Sequence, residues 1–116
     1  MIRESVDIGE MKNLLKRYNK DSIDISSHYQ KYIAEEKRDI KGEQIIEFLT
    51  DKVFYFVEKQ INDWVRYKIV YELSGKYDLV IVVKEEAKVL KVISAYKTNK
   101  KLKEKWKKMS KFLMTK

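Results

Sequence analysis

The sequence of 116 residues contains no cysteine, no proline and only three glycines. Without cysteine the chain can form neither a disulfide framework nor a thiolate metal site, and thiol redox chemistry is excluded. The longest apolar stretch, residues 79–83, is far too short to span a bilayer. The first ten residues also lack the basic start and apolar run of a signal peptide. We therefore expect a soluble, cytoplasmic protein with no membrane partner.

Several motifs that define common enzyme classes are also missing. The sequence has no Walker loop, GxGxxG, HExxH, GxSxG or Cys/His metal pattern. Asp78 with Glu86-x-Lys88 weakly resembles metal-dependent nucleases, in which carboxylates hold a divalent ion and a lysine assists a water. Because Glu86 and Lys88 fall at a predicted hairpin turn, we expect neither a metal nor another cofactor.

Positive charge is abundant. Lysine and arginine outnumber aspartate and glutamate by 26 to 18, which gives a net charge of +8, and arginine occurs only at positions 3, 17, 38 and 66. Nucleic acid, an acidic protein or an anionic membrane surface would each be attracted by this charge. The composition therefore indicates an anionic partner without selecting one.

Three of the four predicted helices lie before residue 51. Asp7 and Glu10 form a capping box that predicts a first helix over residues 8–19. Ser27 and Gln30 suggest a second helix start, with its end near residue 38, and residues 20–25 are expected to be a connector with a short extended piece. Ile45, Ile46 and Leu49 form the apolar stripe of a short third helix that ends near residue 50.

After residue 52 the hydrophobic period changes to that of strands. Four segments rich in β-branched and aromatic residues are predicted as strands, with short polar connections at residues 74–76 and 85–87: residues 53–59, 65–73, 77–84 and 89–97. Strands so close in sequence favour antiparallel pairing. We therefore predict an α+β fold, with N-terminal helices followed by a four-stranded antiparallel meander sheet and a basic C-terminal helix.

Alternation along residues 65–73 separates an apolar face from a polar one. Tyr67, Ile69 and Tyr71 belong to the apolar set, whereas Arg66 and Lys68 face the other way. In the last strand the apolar residues do not keep one phase, so its inner face is left unassigned. The chain reads as a single domain over residues 1–116, because no internal repeat, linker or low-complexity segment divides it.

Four groups of residues could carry chemistry. His28, the only histidine, could act as a general base or acid, or be a surface or capping residue. Arg66 with Lys68 could stabilise a phosphate, or Arg66 could pair across strands with Glu58 or Glu72. Tyr96 and Lys97 end the last strand beside Ser94 and Thr98, and could support proton transfer or simply be a half-buried tyrosine and an exposed lysine.

The fourth group is the predicted C-terminal helix over residues 100–116. Its lysines could follow a phosphate backbone, or form a solvated face, while the stripe that contains Trp106 is expected to pack on the core. The candidate nucleic-acid contacts in this helix are Lys100, Lys101, Lys103, Lys107, Lys108 and Lys111.

The runs RDIKGEQIIEFL, RYKIVYELSGKYDLVIVV and VLKVISAYKTN, together with Ser27-His28, resemble small proteins of the RelE-like and colicin-D-like ribonuclease superfamily. Within the single domain, residues 26–99 would form the RelE-like core, residues 1–22 would add an N-terminal helix, and residues 100–116 would be the basic C-terminal helix. The resemblance implies a metal-independent endoribonuclease or toxin that an acidic antitoxin-like protein controls. It assigns His28 as base or acid, Arg66 and Lys68 as phosphate-stabilising groups, and Tyr96 or Lys97 as residues that complete the site.

Three hypotheses follow. The first is a metal-independent endoribonuclease in which a ribose hydroxyl, activated by His28, attacks the adjacent phosphorus while Arg66 stabilises the developing charge. The second is a noncatalytic RNA- or DNA-binding module that uses the same residues. The third is a protein-interaction subunit whose basic surface docks an acidic partner.

Overall fold

The computed structural model describes residues 2–25 and 40–99. Two predicted elements lie outside the described residues: the second helix, with His28, and the basic C-terminal helix, with Lys100, Lys101, Lys103, Lys107, Lys108 and Lys111. The fold below is that of the two described ranges.

The described residues form one six-stranded mixed sheet and two α-helices. The strands are β1 (Ile2–Ser5), β2 (Ile23–Ile25), β3 (Phe54–Ile61), β4 (Val65–Glu72), β5 (Tyr77–Glu86) and β6 (Val89–Asn99). The helices are α1 (Ile8–Lys16) and α2 (Gly42–Asp51), and a short 3-10 helix spans Lys20–Ser22. The strand order is β1-β3-β4-β5-β6-β2, with β2 parallel to β6 and every other pair antiparallel.

The predicted four-stranded antiparallel meander preceded by helices is wrong. The four segments predicted as strands are strands, but β1 extends the sheet at one edge and β2 extends it at the other, in parallel. The described chain also begins with a strand and not with a helix. Edge strands pair through backbone groups, so β1 needs no apolar alternation, and β2 is three residues long. Neither leaves a periodic signal.

Local signals account for the two helices. Asp7 caps α1 by accepting a hydrogen bond from the Glu10 amide at 3.0 Å, and Met11, Leu14 and Leu15 are buried against the sheet. The helix ends at Lys16, before the predicted residue 19, because Asn19 caps the following 3-10 helix. In α2 the buried stripe is formed by Ile45, Phe48 and Leu49.

The two helices cover one face of the sheet, which we call the helix-covered face. Residues of β3, β4, β5 and β6 on this face pack with α1 and α2 into the main core, and Tyr71 at its centre meets Phe48 and Phe54 edge to face. The opposite side, the second face, carries a smaller apolar cluster of Phe56, Val70, Val80 and Val82. Within the described residues, no helix contributes to that smaller cluster.

Candidate anion-binding site on the second face

A cluster of polar side chains lies on the second face beside its small apolar cluster. Six residues form it, and we call it the Glu58 cluster: Arg3, Glu58, Gln60, Arg66, Lys68 and Tyr96. Strand register brings the first five together, because Arg3 pairs with Gln60, Gln60 with Arg66, and Glu58 with Lys68. Tyr96 comes from β6 and packs against the second-face apolar cluster. The first five residues thus come from the adjacent strands β1, β3 and β4, and Tyr96 lies two strands beyond β4, where the charge of Glu58 still influences it.

Hydrogen bonds connect Glu58 to Arg66 through Gln60. The Gln60 Nε2 donates to Glu58 Oε1 at 2.7 Å, and Arg66 Nε donates to Gln60 Oε1 at 2.8 Å. Glu58 and Gln60 are 1% and 7% exposed. This chain of buried partners fixes the plane of the Arg66 guanidinium, the group whose planar fork matches phosphate and carboxylate oxygens.

Glu58 has an unusual environment for a carboxylate. Arg3 Nε lies 3.8 Å from Glu58 Oε1, and half of the Arg3 side chain is exposed whereas that of Glu58 is buried. The second oxygen, Glu58 Oε2, is buried and has no hydrogen-bond partner among the described residues. Buried polar atoms are nearly always paired in folded proteins, so such an orphan oxygen is expected where a ligand donor belongs. A hydroxyl or amide proton would satisfy it.

Two further side chains feel the charge of Glu58. Burial lowers the pKa of Lys68, and the positive charges of Arg3 and Arg66 lower it further, while Glu58 opposes these effects. Burial raises the pKa of Tyr96, and the Glu58 carboxylate adds to that rise. Tyr96 therefore keeps its proton at neutral pH.

The predicted site residues fall into three groups. Arg66, Lys68 and Tyr96 share the second face, as the alternation in β4 predicts for the first two. Lys97 pairs with Leu79 of the main core and hence lies on the helix-covered face, where its Nζ is 5.5 Å from the centre of the Tyr77 ring. His28 and the lysines of residues 100–116 lie outside the described residues.

Sequence reasoning treated Glu58 only as an ion-pair partner of Arg66 and missed Arg3 and Gln60. Their signal is faint because Arg3 belongs to the unpredicted edge strand. In β3 a register shift between Phe54 and Phe56 places these two residues on opposite faces, so strict alternation counted from Phe54 would put Glu58 and Gln60 on the wrong face. A buried charge in a strand rich in aromatics was the available clue.

A second buried carboxylate, Asp78, has a different role. Its Oδ2 accepts a hydrogen bond from the Tyr55 hydroxyl, and its Oδ1 is buried with no partner in residues 2–25 and 40–99. Asp78 is the second residue of β5 and Glu86 is the last, so about 26 Å of extended strand separates the two residues of the weak nuclease pattern. The structure thus does not bring them together.

A basic groove lies between the helices, away from the second face. Its volume is about 370 Å³, its apolar floor includes Leu15, Leu49 and Phe54, and Lys12, Lys16 and Lys52 are among its lining residues. We call it the lysine groove. Asp51 also lines it, and Lys52 Nζ is 3.7 Å from the Glu47 carboxylate.

No protein-family model, curated protein or solved structure matches this chain. In the part of the chain that the structure describes, no helix has the length and apolar character needed to cross a membrane.

Proposed function

We propose that this protein is a metal-independent endoribonuclease and that the Glu58 cluster is its active site. The observation that carries the proposal is the buried Glu58 carboxylate with one unpartnered oxygen, surrounded by the cationic side chains of Arg3, Arg66 and Lys68. A buried carboxylate oxygen that receives no hydrogen bond lowers stability, and active sites are places where substrate can supply the missing donor.

The reaction needs a base, charge stabilisation and an acid. Glu58 Oε2 is buried, so the reaction requires the side chains that cover it to move when RNA binds. Oε2 then takes the proton of a ribose hydroxyl, the ribose oxygen bonds to the adjacent phosphorus, and the bond to the leaving ribose oxygen breaks. Arg66, with Arg3 and Lys68, stabilises the negative charge that develops on the phosphoryl oxygens. Tyr96 gives its proton to the leaving oxygen, and the products are a cyclic phosphate end and a hydroxyl end.

His28 is the alternative base in this proposal, as the family resemblance implies. The two candidates are separated by testing Glu58→Gln and His28→Ala individually, because removal of the proton acceptor lowers the rate by about 10²–10⁴-fold. The requirement for a neighbouring ribose hydroxyl makes the activity specific for RNA over DNA.

The test is incubation of the purified protein with transfer RNA and messenger RNA in excess EDTA, followed by analysis of the product ends. Wild type is expected to leave cyclic phosphate ends, and Glu58→Gln and Arg66→Ala are expected to be at least about a hundredfold slower. Glu4→Gln is the control for Glu58→Gln, because it makes the same change at an exposed position of β1. Lys76→Ala is the control for Arg66→Ala, because it removes a positive charge at the exposed β4–β5 turn. Both controls should cleave like wild type.

The result has three readable outcomes. Cleavage that survives Glu58→Gln and Arg66→Ala unchanged would show that the site is elsewhere. RNA retention without products by wild type would instead support the noncatalytic binding module, with an affinity that falls steeply with salt. Thermal unfolding of each variant separates a lost site from a lost fold.

The lysine groove favours a second function, docking of an acidic partner protein. An apolar floor with lysines at its border fits an amphipathic acidic segment, whose apolar side would enter the groove while its carboxylates meet Lys12 and Lys16. A synthetic acidic amphipathic helix should bind wild type and lose affinity for the Lys12→Glu/Lys16→Glu variant. Lys20→Glu/Lys76→Glu carries the same charge change outside the groove, and equal loss in both variants would contradict a specific site.

A further inference from the structure

Trp64 is a large aromatic side chain in an unusual place. It follows Asn62 and Asp63 in the turn that joins β3 to β4, where the Asn62 amide donates to the Trp64 carbonyl at 3.2 Å. Its residue is 42% exposed, and it belongs to neither apolar cluster of the sheet. Core packing therefore does not account for a tryptophan at this position.

Two cations hold the ring. Lys84 Nζ lies 4.7 Å from the ring centre and Arg66 Cζ lies 5.5 Å from it, both within the range of cation–π attraction. Lys84 also pairs with Glu86 at 3.0 Å, which limits how far its ammonium group can move. The ring is thus ordered and stands in a positive environment while much of it remains exposed to solvent.

A groove opens beside the ring. Its volume is about 390 Å³, and Trp64, Val65 and Tyr67 supply apolar and aromatic surface while Lys59, Lys84, Glu85 and Glu86 supply polar groups. This volume lies in the range of about 300–1,000 Å³ that small-molecule sites have. The groove combines a flat apolar wall with two lysines, which attract phosphate, and two carboxylates, which can accept hydrogen bonds from a base or a sugar.

Arg66 connects the Trp64 ring to the Glu58 cluster. Its Nε donates to Gln60 while its Cζ lies 5.5 Å from the centre of the ring, so the guanidinium lies between the ring and the cluster, although Arg66 is not one of the residues that line the groove. A phosphate held at Arg66 would therefore be close to a base that contacts the indole ring.

We infer that Trp64 stacks an unpaired base of single-stranded RNA whose adjacent phosphate binds at Arg66. The inference rests on the proposed function for the identity of the strand as RNA. Stacking on an aromatic ring requires an accessible base face, which a strand in a duplex does not offer, so the substrate class is single-stranded RNA or a loop. Cationic side chains near the ring add attraction to the backbone without selecting a base sequence.

The experiment isolates the tryptophan signal. Trp106 is the only other tryptophan, so Trp106→Phe leaves Trp64 as the sole indole fluorophore. This variant is titrated with a short 2′-deoxy strand, which cannot be cleaved, and with an abasic strand of equal length and charge. Stacking predicts that the normal strand quenches the fluorescence, whereas the abasic strand binds about tenfold more weakly and quenches little.

Strand anisotropy in the chain with both tryptophans gives an independent affinity. Trp64→Ala should weaken binding of the normal strand by about tenfold and leave the abasic strand unaffected, and Trp64→Phe should lie between wild type and Trp64→Ala. Tyr77→Ala is the matched control, because Tyr77 is 41% exposed, lies near a lysine and does not line the groove.

Equal binding of normal and abasic strands, or equal quenching by a duplex, would overturn the inference. The result is independent of catalysis. If wild type stacks the strand but does not cleave RNA in EDTA, the endoribonuclease proposal fails while the stacking site stands. If RNA is cleaved and Trp64→Ala binds and cleaves like wild type, the stacking inference fails while the endoribonuclease stands.

Discussion

The hydroxyl of Tyr71 is a polar group in an apolar place. Tyr71 is fully buried between Phe48 and Phe54, and burial raises its pKa. In the part of the chain that the structure describes, its oxygen has no hydrogen-bond partner. Tyr71→Phe keeps the ring and both edge-to-face contacts, so it should raise the free energy of unfolding by about 1 kcal/mol. Urea denaturation measures the change, and a loss of stability would show that the hydroxyl has a partner after all.

Tyr55 provides the opposite case on the second face. Its hydroxyl donates to Oδ2 of Asp78, which is fully buried. Among the described residues none donates to the other carboxylate oxygen, Oδ1. Tyr55→Phe leaves that carboxylate without this donor and should lower the free energy of unfolding by at least about 2 kcal/mol. The same urea experiment compares the two Tyr→Phe variants, and opposite signs are expected. A neutral Tyr55→Phe would contradict the assigned role of Asp78.

Alternation along β4 was enough to predict that Arg66 and Lys68 share a face, because side chains in a strand alternate whatever lies around them. The partners of Arg66 were not predictable in this way. They depend on which residues of β1 and β3 stand opposite, and register is set by turns and bulges that the sequence marks weakly. Lys97 follows Tyr96 directly, so grouping both in one site overlooked the alternation.

At the scale of elements, the β5–β6 hairpin turns through two residues in the left-handed region. Ala87 and Lys88 have φ of 49° and 67°, and neither is glycine. Two-residue turns with this geometry favour Asn-Gly, and the left-handed conformation costs an ordinary residue roughly 1–2 kcal/mol. Ala87→Asn/Lys88→Gly should therefore raise the free energy of unfolding by about 1–2 kcal/mol.

Lys76→Gly is the control for that hairpin, since Lys76 lies in the β4–β5 turn and does not have a positive φ. Glycine there adds only freedom to the unfolded chain and should lower stability slightly. Thermal unfolding compares the two variants. A lower stability of both variants than of wild type would mean that the β5–β6 turn carries no strain. The predicted connection at residues 85–87 was displaced because β5 continues to Glu86.

β-Bulges explain why the sequence predicted the ends of the strands better than the face of the sheet on which each side chain lies. In β6 the register shifts so that Val92 pairs with Val83 and Ser94 with Val82, which leaves Ile93 as the extra residue. Leu90, Val92 and Ala95 are all in the main core although their spacing does not keep a period of two. A reading that assumes strict alternation therefore cannot assign the inner face of this strand.

At the scale of the whole molecule, tyrosines with raised pKa values predict how the free energy of unfolding changes at alkaline pH. The pKa of Tyr18 is raised to about 12, first by burial and then by its hydrogen bond to Glu85. Burial is also the main cause of the raised pKa values of Tyr55, Tyr71 and Tyr96. Unfolded tyrosines ionise near pH 10, so the unfolded chain loses these protons before the folded protein does.

The sign follows from proton linkage. Below about pH 10 both states hold the tyrosine protons and their contribution is complete, whereas above it the unfolded state binds fewer protons and stability falls as pH rises. Lys68 acts oppositely, because its pKa is lowered and its unfavourable burial is relieved as pH rises. This gain ends near the unfolded lysine pKa of about 10.4, above which neither state holds the Lys68 proton. From these groups of the described residues we therefore expect a net loss of stability above about pH 10.

Urea denaturation at a series of pH values from neutral to strongly alkaline measures this loss. Tyr71→Phe provides the internal control, since it removes one shielded hydroxyl from the main core without changing the packing of the ring. Above pH 10 its free energy of unfolding should fall less steeply than that of wild type, by up to about 1.4 kcal/mol per pH unit. Parallel curves for the two proteins would mean that Tyr71 ionises equally in both states, and the alkaline sensitivity would then have to come from the tyrosines outside the main core.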